Sequence, residues 1–199
     1  MKSETHYIAG VDEAGRGPLA GPVAVGVVVV SQGFDWRQVP GVGDSKKVSP
    51  ENRAAIFRRA RTLRSIGALD FHVALISHTV IDRIGITRAV ERGIAQCFKK
   101  LALNPAATSV RLDGLLKAPI DFKQQKTIIK GDAKEKIIGL ASICAKVTRD
   151  TYMVRAAQKY SKYGFEIHKG YGTVSHRTAL QKHGLSAIHR RSFCKKFER

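Results

Sequence analysis

The run Gly10-Val11-Asp12-Glu13-Ala14-Gly15-Arg16-Gly17-Pro18-Leu19-Ala20-Gly21-Pro22 constrains this chain more than any other stretch. An apolar, strand-like lead-in from Tyr7 to Val11 delivers two adjacent carboxylates, and glycines at 15, 17 and 21 then free the backbone to turn. Acid therefore sits where the chain leaves a strand. Successive side chains of a strand point to opposite faces, so Asp12 and Glu13 share a face only if the extended geometry breaks here, which the glycines permit. After Pro22, the run Val23 to Val30 is β-branched and reads as a buried strand reaching about Ser31. It is far short of the roughly twenty residues that a membrane-spanning helix needs.

Gly33 to Gly43 reads as a loop and leads to Asp44-Ser45-Lys46-Lys47. Ser49 as N-cap, Pro50 at the first helical position and Glu51 in the first turn predict a helix to about Ser65. Its buried side is Ala54, Ile56, Phe57, Ala60 and Leu63, and its outer face carries Arg53, Arg58, Arg59, Arg61 and Arg64. Ala68 to Ser77 alternates as a third strand, and three consecutive strands imply an antiparallel start. A short helix from Thr79 to Ile84 and a longer one from about Thr87 to Leu103 follow. A fourth strand from Thr108 ends in Asp113-Gly114, and a fifth, Lys126 to Ile129, leads to Lys130-Gly131-Asp132. The apolar positions from Glu135 to about Gln158 predict a largely buried helix with Asp132 near its N-terminus. A loop holding His168, Lys169 and Gly170-Tyr171-Gly172-Thr173, a helix from about Ser175 to His183 and a basic tail close the chain.

With 35 Lys and Arg against 16 Asp and Glu in 199 residues, the formal charge is +19, which calls for a polyanionic partner. The polar N-terminus carries no secretory segment, so a cytoplasmic protein is expected, with no membrane partner. Cys97, Cys144 and Cys194 are odd in number and widely spaced, which fits reduced thiols rather than disulfides or a zinc ribbon. His176, His183 and His189 match no zinc spacing and read as surface or phosphate-facing imidazoles.

Four carboxylates, Asp12, Glu13, Asp113 and Asp132, stand where strands end, and those of Asp12 and Asp113 converge if their strands are neighbours. Crowded carboxylates repel one another and a phosphate, so such a site makes sense only with cations in it. Oxygen ligands with no His or Cys favour Mg²⁺ or Mn²⁺. Two such ions would serve phosphodiester hydrolysis, one activating water and the other stabilising the leaving oxygen.

The opening run, with its Gly15-Arg16-Gly17, resembles that of the type 2 ribonucleases H, ribonuclease HII in particular. Leu112-Asp113-Gly114, Lys130-Gly131-Asp132 and Ala141-Ser142-Ile143-Cys144-Ala145-Lys146-Val147-Thr148-Arg149-Asp150 are similar to further motifs of that family in the same order. The resemblance implies an α/β fold, a ribonuclease H-like mixed β-sheet flanked by helices, in one domain over 1–199. Residues from about 160 would form a small helical C-terminal extension that contacts substrate. It implies an endoribonuclease that hydrolyses the RNA strand of RNA–DNA hybrids and cuts 5′ of ribonucleotides embedded in duplex DNA, leaving 3′-hydroxyl and 5′-phosphate ends. A monomer is expected.

The family's catalytic and metal-binding positions fall on Asp12, Glu13, Asp113 and Asp132. Asp150, several turns further along a helix, is set aside as a ligand and given a salt link to Arg149. Gly15, Arg16 and Gly17 correspond to the turn that reads the 2′-hydroxyl, Tyr171 to the tyrosine that packs on the next sugar, and Lys46 to a phosphate contact that His168 and Lys169 would join. One departure is Ile137-Ile138-Gly139-Leu140, where a serine is lost and a glycine enters a helix, at about 1 kcal/mol relative to alanine. Two other readings fit the residues: a DNA endonuclease of resolvase or transposase type on a similar sheet, and a basic nucleic-acid-binding module without chemistry.

Overall fold

Tyr7–Ala14 (β1) lies at the centre of the molecule because its inward positions on both faces are apolar or glycine, so helices can cover it from two sides. It pairs antiparallel with Val23–Ser31 (β2), which pairs antiparallel with Asp70–Ile76 (β3). On its other side β1 pairs in parallel with Thr108–Asp113 (β4), and β4 in parallel with Gln125–Ile128 (β5). The strand order is β3-β2-β1-β4-β5, a mixed sheet with an antiparallel start. These coordinates, a computed structural model, describe residues 6–42 and 48–197.

Pro50–Ser65 (α1) begins as expected, with the Ser49 side chain accepting from Asn52 N. His78–Ile84 (α2) and Ile86–Lys100 (α3) follow β3, and α3 buries Ala89, Val90, Ile94 and Cys97 against one sheet face together with Val11, Val25 and Leu112. Lys136–Lys159 (α5) covers the other face, where Ile138, Ala141 and Cys144 meet Val28, Val30 and the inner side of α1. Two strand glycines set that approach: a Cβ at Gly10 would lie 2.5 Å from the Ile137 carbonyl oxygen, and one at Gly26 2.4 Å from that of Ala141. Phe165–His168 (α6) and Val174–His183 (α7) pack with Ala20, Met153 and Ile188 in a separate apolar cluster beside the turn that follows β1. No helix among the described residues is long and apolar enough to cross a membrane.

The structure departs from the sequence expectation in several places. Extended geometry does not break at the acids: β1 runs through Asp12 and Glu13 to Ala14 and ends only at Gly15, because β2 offers partners as far as Ala24. The 33–43 loop contains a 3₁₀ turn at Trp36–Gln38, capped by Asp35, whose side chain accepts from Arg37 N. Asp132 sits in its own single turn, Gly131–Lys134 (α4), which extended Glu135 separates from α5.

Candidate active site

The end of the β1–β4 pair gathers the acids. Val11 and Leu112 are partners in that parallel ladder, so Asp12 and Asp113, one residue further along each strand, lie side by side. Asp12 is 5 % exposed and points to the α5 face, as Gly10 does two residues earlier, and there it takes a hydrogen bond from Ser142. Glu13 projects to the α3 face and lines a cleft of ≈ 690 Å³ with Arg16, Asp113, Gly114, Thr87 and Glu91. A hollow of ≈ 780 Å³ near the C-terminus is lined by Lys182, Arg191 and Lys196 and has no carboxylate in its wall.

Asp113 is fixed by the turn after β5: its Oδ1 accepts from Gly131 N at 2.7 Å. That bond brings α4, and with it half-buried Asp132, to the strand carrying Asp113. Asp150, the rival fourth acid, forms an ion pair with Lys146 at 2.9 Å one helical turn away. The expected salt link to Arg149 is therefore replaced, because the Arg149 guanidinium points inward and is fully buried.

Charge is poorly compensated at this strand end. Burial pushes the Asp12 carboxyl well above the usual carboxylate range, and the negative charges of Glu13 and Asp113 push it further, against the opposing Ser142 hydrogen bond. Glu13 is also raised, first by burial and then by Asp113, while Arg16 pulls it down across 3.6 Å. Glu13 Oε2 is buried with no hydrogen-bond partner among the described residues. Among those residues no three His, Cys, Asp or Glu side chains form a ready-made metal cage, since Asp12 and Glu13 leave the strand on opposite faces. An orphaned carboxylate oxygen, two acids whose ionised forms are disfavoured by burial and by neighbouring negative charge, and an all-oxygen donor set nevertheless fit a hard divalent cation.

Beside the acids, Gly15 adopts φ +92°, buried, while Arg16 and Gly17 are exposed. Tyr171 is 41 % exposed, with its ring centroid 5.7 Å from the Arg149 guanidinium and 5.9 Å from Lys146 Nζ. Arg149 joins these two parts: a Cβ on Gly15 would fall 1.9 Å from its Nε, so only glycine fits there. Lys46 lies outside the described residues.

The histidines differ from expectation. His168, His176 and His189 are buried rather than facing solvent or phosphate. Ser186 N donates to His189 Nδ1, His189 Nε2 donates to His176 Nε2, and His176 Nδ1 donates to the Tyr171 carbonyl. His168 stacks on His176 with ring centroids 4.4 Å apart and accepts from Gly170 N. These imidazoles are struts beneath the Tyr171 segment. Burial lowers His176 and His189 to about 4. The sequence reading also missed fully buried Arg149 and Arg190. The signal for Arg149 was its spacing, four residues from Ala145 and from Met153, both on the inward stripe of α5.

The family model for ribonuclease HII matches residues 9–196, nearly the whole chain. This chain belongs to the ribonuclease HII family. It is accordingly an endonuclease of the ribonuclease H type, a hydrolase. The ribonuclease HII of Halalkalibacterium halodurans is 43% identical over 94% of this chain and 67% of its own length. That of Geobacter metallireducens is 45% identical over 94% of this chain and 84% of its own length. Among solved structures, ribonuclease H2 from Pyrococcus horikoshii superposes with a TM-score of 0.75 at 28% identity, covering 96% of this chain and 97% of that one. The ribonuclease HII match runs through the β1 acids, the Gly15–Gly17 turn, α5 and the C-terminal cluster alike.

Proposed function

We propose that this ribonuclease HII chain hydrolyses the RNA strand of RNA–DNA hybrids and cuts 5′ of single ribonucleotides in duplex DNA, leaving 3′-hydroxyl and 5′-phosphate ends. The observation that carries this reading is the juxtaposition of an under-compensated acid cluster at the β1–β4 end with an outward-facing glycine turn three residues beyond it. Asp12, Glu13, Asp113 and Asp132 would hold two Mg²⁺ or Mn²⁺ ions, which supply the Lewis acidity that activates water and stabilises the leaving oxygen.

The chain's own residues do the rest. Gly15, Arg16 and Gly17 bring bare main chain against a ribose, where the 2′-hydroxyl is the group that marks RNA. Tyr171 offers an exposed ring to the neighbouring sugar, held from below by the His176 bond to its carbonyl. Lys46 contacts phosphate. The segment from about residue 160 acts as a substrate-contacting extension of a single domain, a role supported by its packing against Ala20 and Met153 beside the glycine turn.

The test is a labelled duplex carrying one ribonucleotide, compared with the same duplex in all-DNA form, each with Mg²⁺. Cleavage on the 5′ side of the ribonucleotide and none of the all-DNA duplex is expected. Equal cleavage of both would favour a DNA endonuclease, and cleavage of neither a binding module without chemistry.

A further inference from the structure

Arg149 and Arg190 are the two largest side chains with no exposure at all, and among the described residues neither forms an ion pair. Each instead spends all of its hydrogen bonds on main-chain carbonyls. Arg190 donates from Nε to Gly21 O at 2.9 Å, from Nη1 to Arg16 O at 2.7 Å and from Nη2 to Gly15 O at 2.7 Å. Arg149 donates from Nε to Pro22 O at 2.9 Å, from Nη2 to Ala20 O at 3.2 Å and from Nη1 to Lys169 O at 3.0 Å. Five of the six carbonyls belong to residues 15–22, and the sixth precedes Gly170 and Tyr171. Removing a guanidinium from water without a counter-charge is costly, and burial lowers Arg190 to about 9. A turn needing only to be closed could use neutral donors.

Peptide geometry gives that cost a use. The described peptide bonds are all trans, so each carbonyl points opposite to the N–H of the following residue. Drawing Gly15 O and Arg16 O inward onto one guanidinium turns the N–H groups of Arg16 and Gly17 outward. Neither N–H donates to any partner among the described residues, and both residues are exposed. The fork of Arg190 thus holds two parallel donors facing solvent beside the acid cluster.

We infer that Arg190 is a positioning residue for ribose selection: its guanidinium aims the Arg16 and Gly17 N–H groups at the substrate sugar, while Arg149 fixes the same loop to the Tyr171 segment. The inference rests on the preceding reading of this turn as the 2′-hydroxyl sensor.

The experiment measures dissociation constants for a one-ribonucleotide duplex and its all-DNA counterpart, in an Asp113→Asn background that stops turnover, with and without Arg190→Ala or Arg190→Lys. The expected result is a discrimination ratio about tenfold lower in both Arg190 variants, with all-DNA affinity unchanged, since two oriented donors are lost rather than charge at the surface. Added guanidinium ion restores the ratio in Arg190→Ala, and equal NaCl does not. A ratio unchanged in a folded variant, or an equal loss of affinity for both duplexes, overturns the inference. If Arg190→Ala does not fold, Arg190→Lys decides by the same ratio. A ratio near one in the Asp113→Asn background alone overturns instead the 2′-hydroxyl reading beneath it.

Discussion

Asp12 and Glu13 carry the clearest electrostatic consequence at the residue scale. A carboxyl whose folded value is raised holds its proton more tightly when folded, so stability is lost as pH rises from the ordinary carboxylate range through the raised value. Asp113→Asn removes one repelling charge and keeps an acceptor for Gly131 N. The metal-free variant should therefore melt higher than the wild type at pH 7 to 8, by about 1 kcal/mol or roughly 2–4 °C, with the gap closing near pH 4. Turnover in Mg²⁺ should be lost. Thermal melts across pH in chelator, paired with a cleavage assay, check both. His176 and His189 act in the opposite sense: their folded values near 4 lie below the ordinary 6.5, so the unfolded chain takes up protons first and stability falls as pH drops from about 6.5 to 4. By pH 4.5 the loss should be on the order of 2 kcal/mol per imidazole, read by denaturant unfolding at stepped pH, and a His189→Gln variant should flatten the slope. Asp12, Glu13 and Asp113 follow apolar runs that mark strands in the sequence, whereas Asp132 lies beyond a short polar strand in a turn of its own. The buried histidines were not, since a loop imidazole has no periodicity to reveal which way it faces.

At the scale of elements, the strands and long helices were read nearly to their ends, because β-branched alternation, the Ser49-Pro50 start and apolar helical spacing are local signals. The convergence of Asp12 with Asp113 needed β1 beside β4, a pairing separated by about a hundred residues that no local pattern encodes. The continuation of β1 through Asp12 and Glu13 to Ala14 was missed for a similar reason: β2 supplies the partners that keep it extended. Close helix–sheet contact matters for the site, since α5 places Ser142 on Asp12. Gly26→Ala would drive a methyl into the Ala141 carbonyl and lift that helix. A loss of about 3 kcal/mol, or a fall in Tm of roughly 6–12 °C, is expected by calorimetry, and residual folded enzyme should bind divalent metal more weakly.

For the molecule as a whole, the +19 charge and the exposed Arg58 and Arg61 of α1 make duplex binding an electrostatic event. With about four or more phosphates neutralised, affinity should fall roughly a hundredfold between 50 and 200 mM salt, equally for ribonucleotide-containing and all-DNA duplexes, while their ratio stays constant. Fluorescence anisotropy at stepped salt measures this. The proposed function assigns selectivity and catalysis to the strand end and the glycine turn, and its most direct test is a count of bound Mn²⁺ by electron paramagnetic resonance, with an uncleavable ribonucleotide duplex present. Two ions per chain in the wild type, reduced in Asp12→Asn, is the predicted result. No saturable Mn²⁺ binding, or the same binding in both proteins, would contradict it.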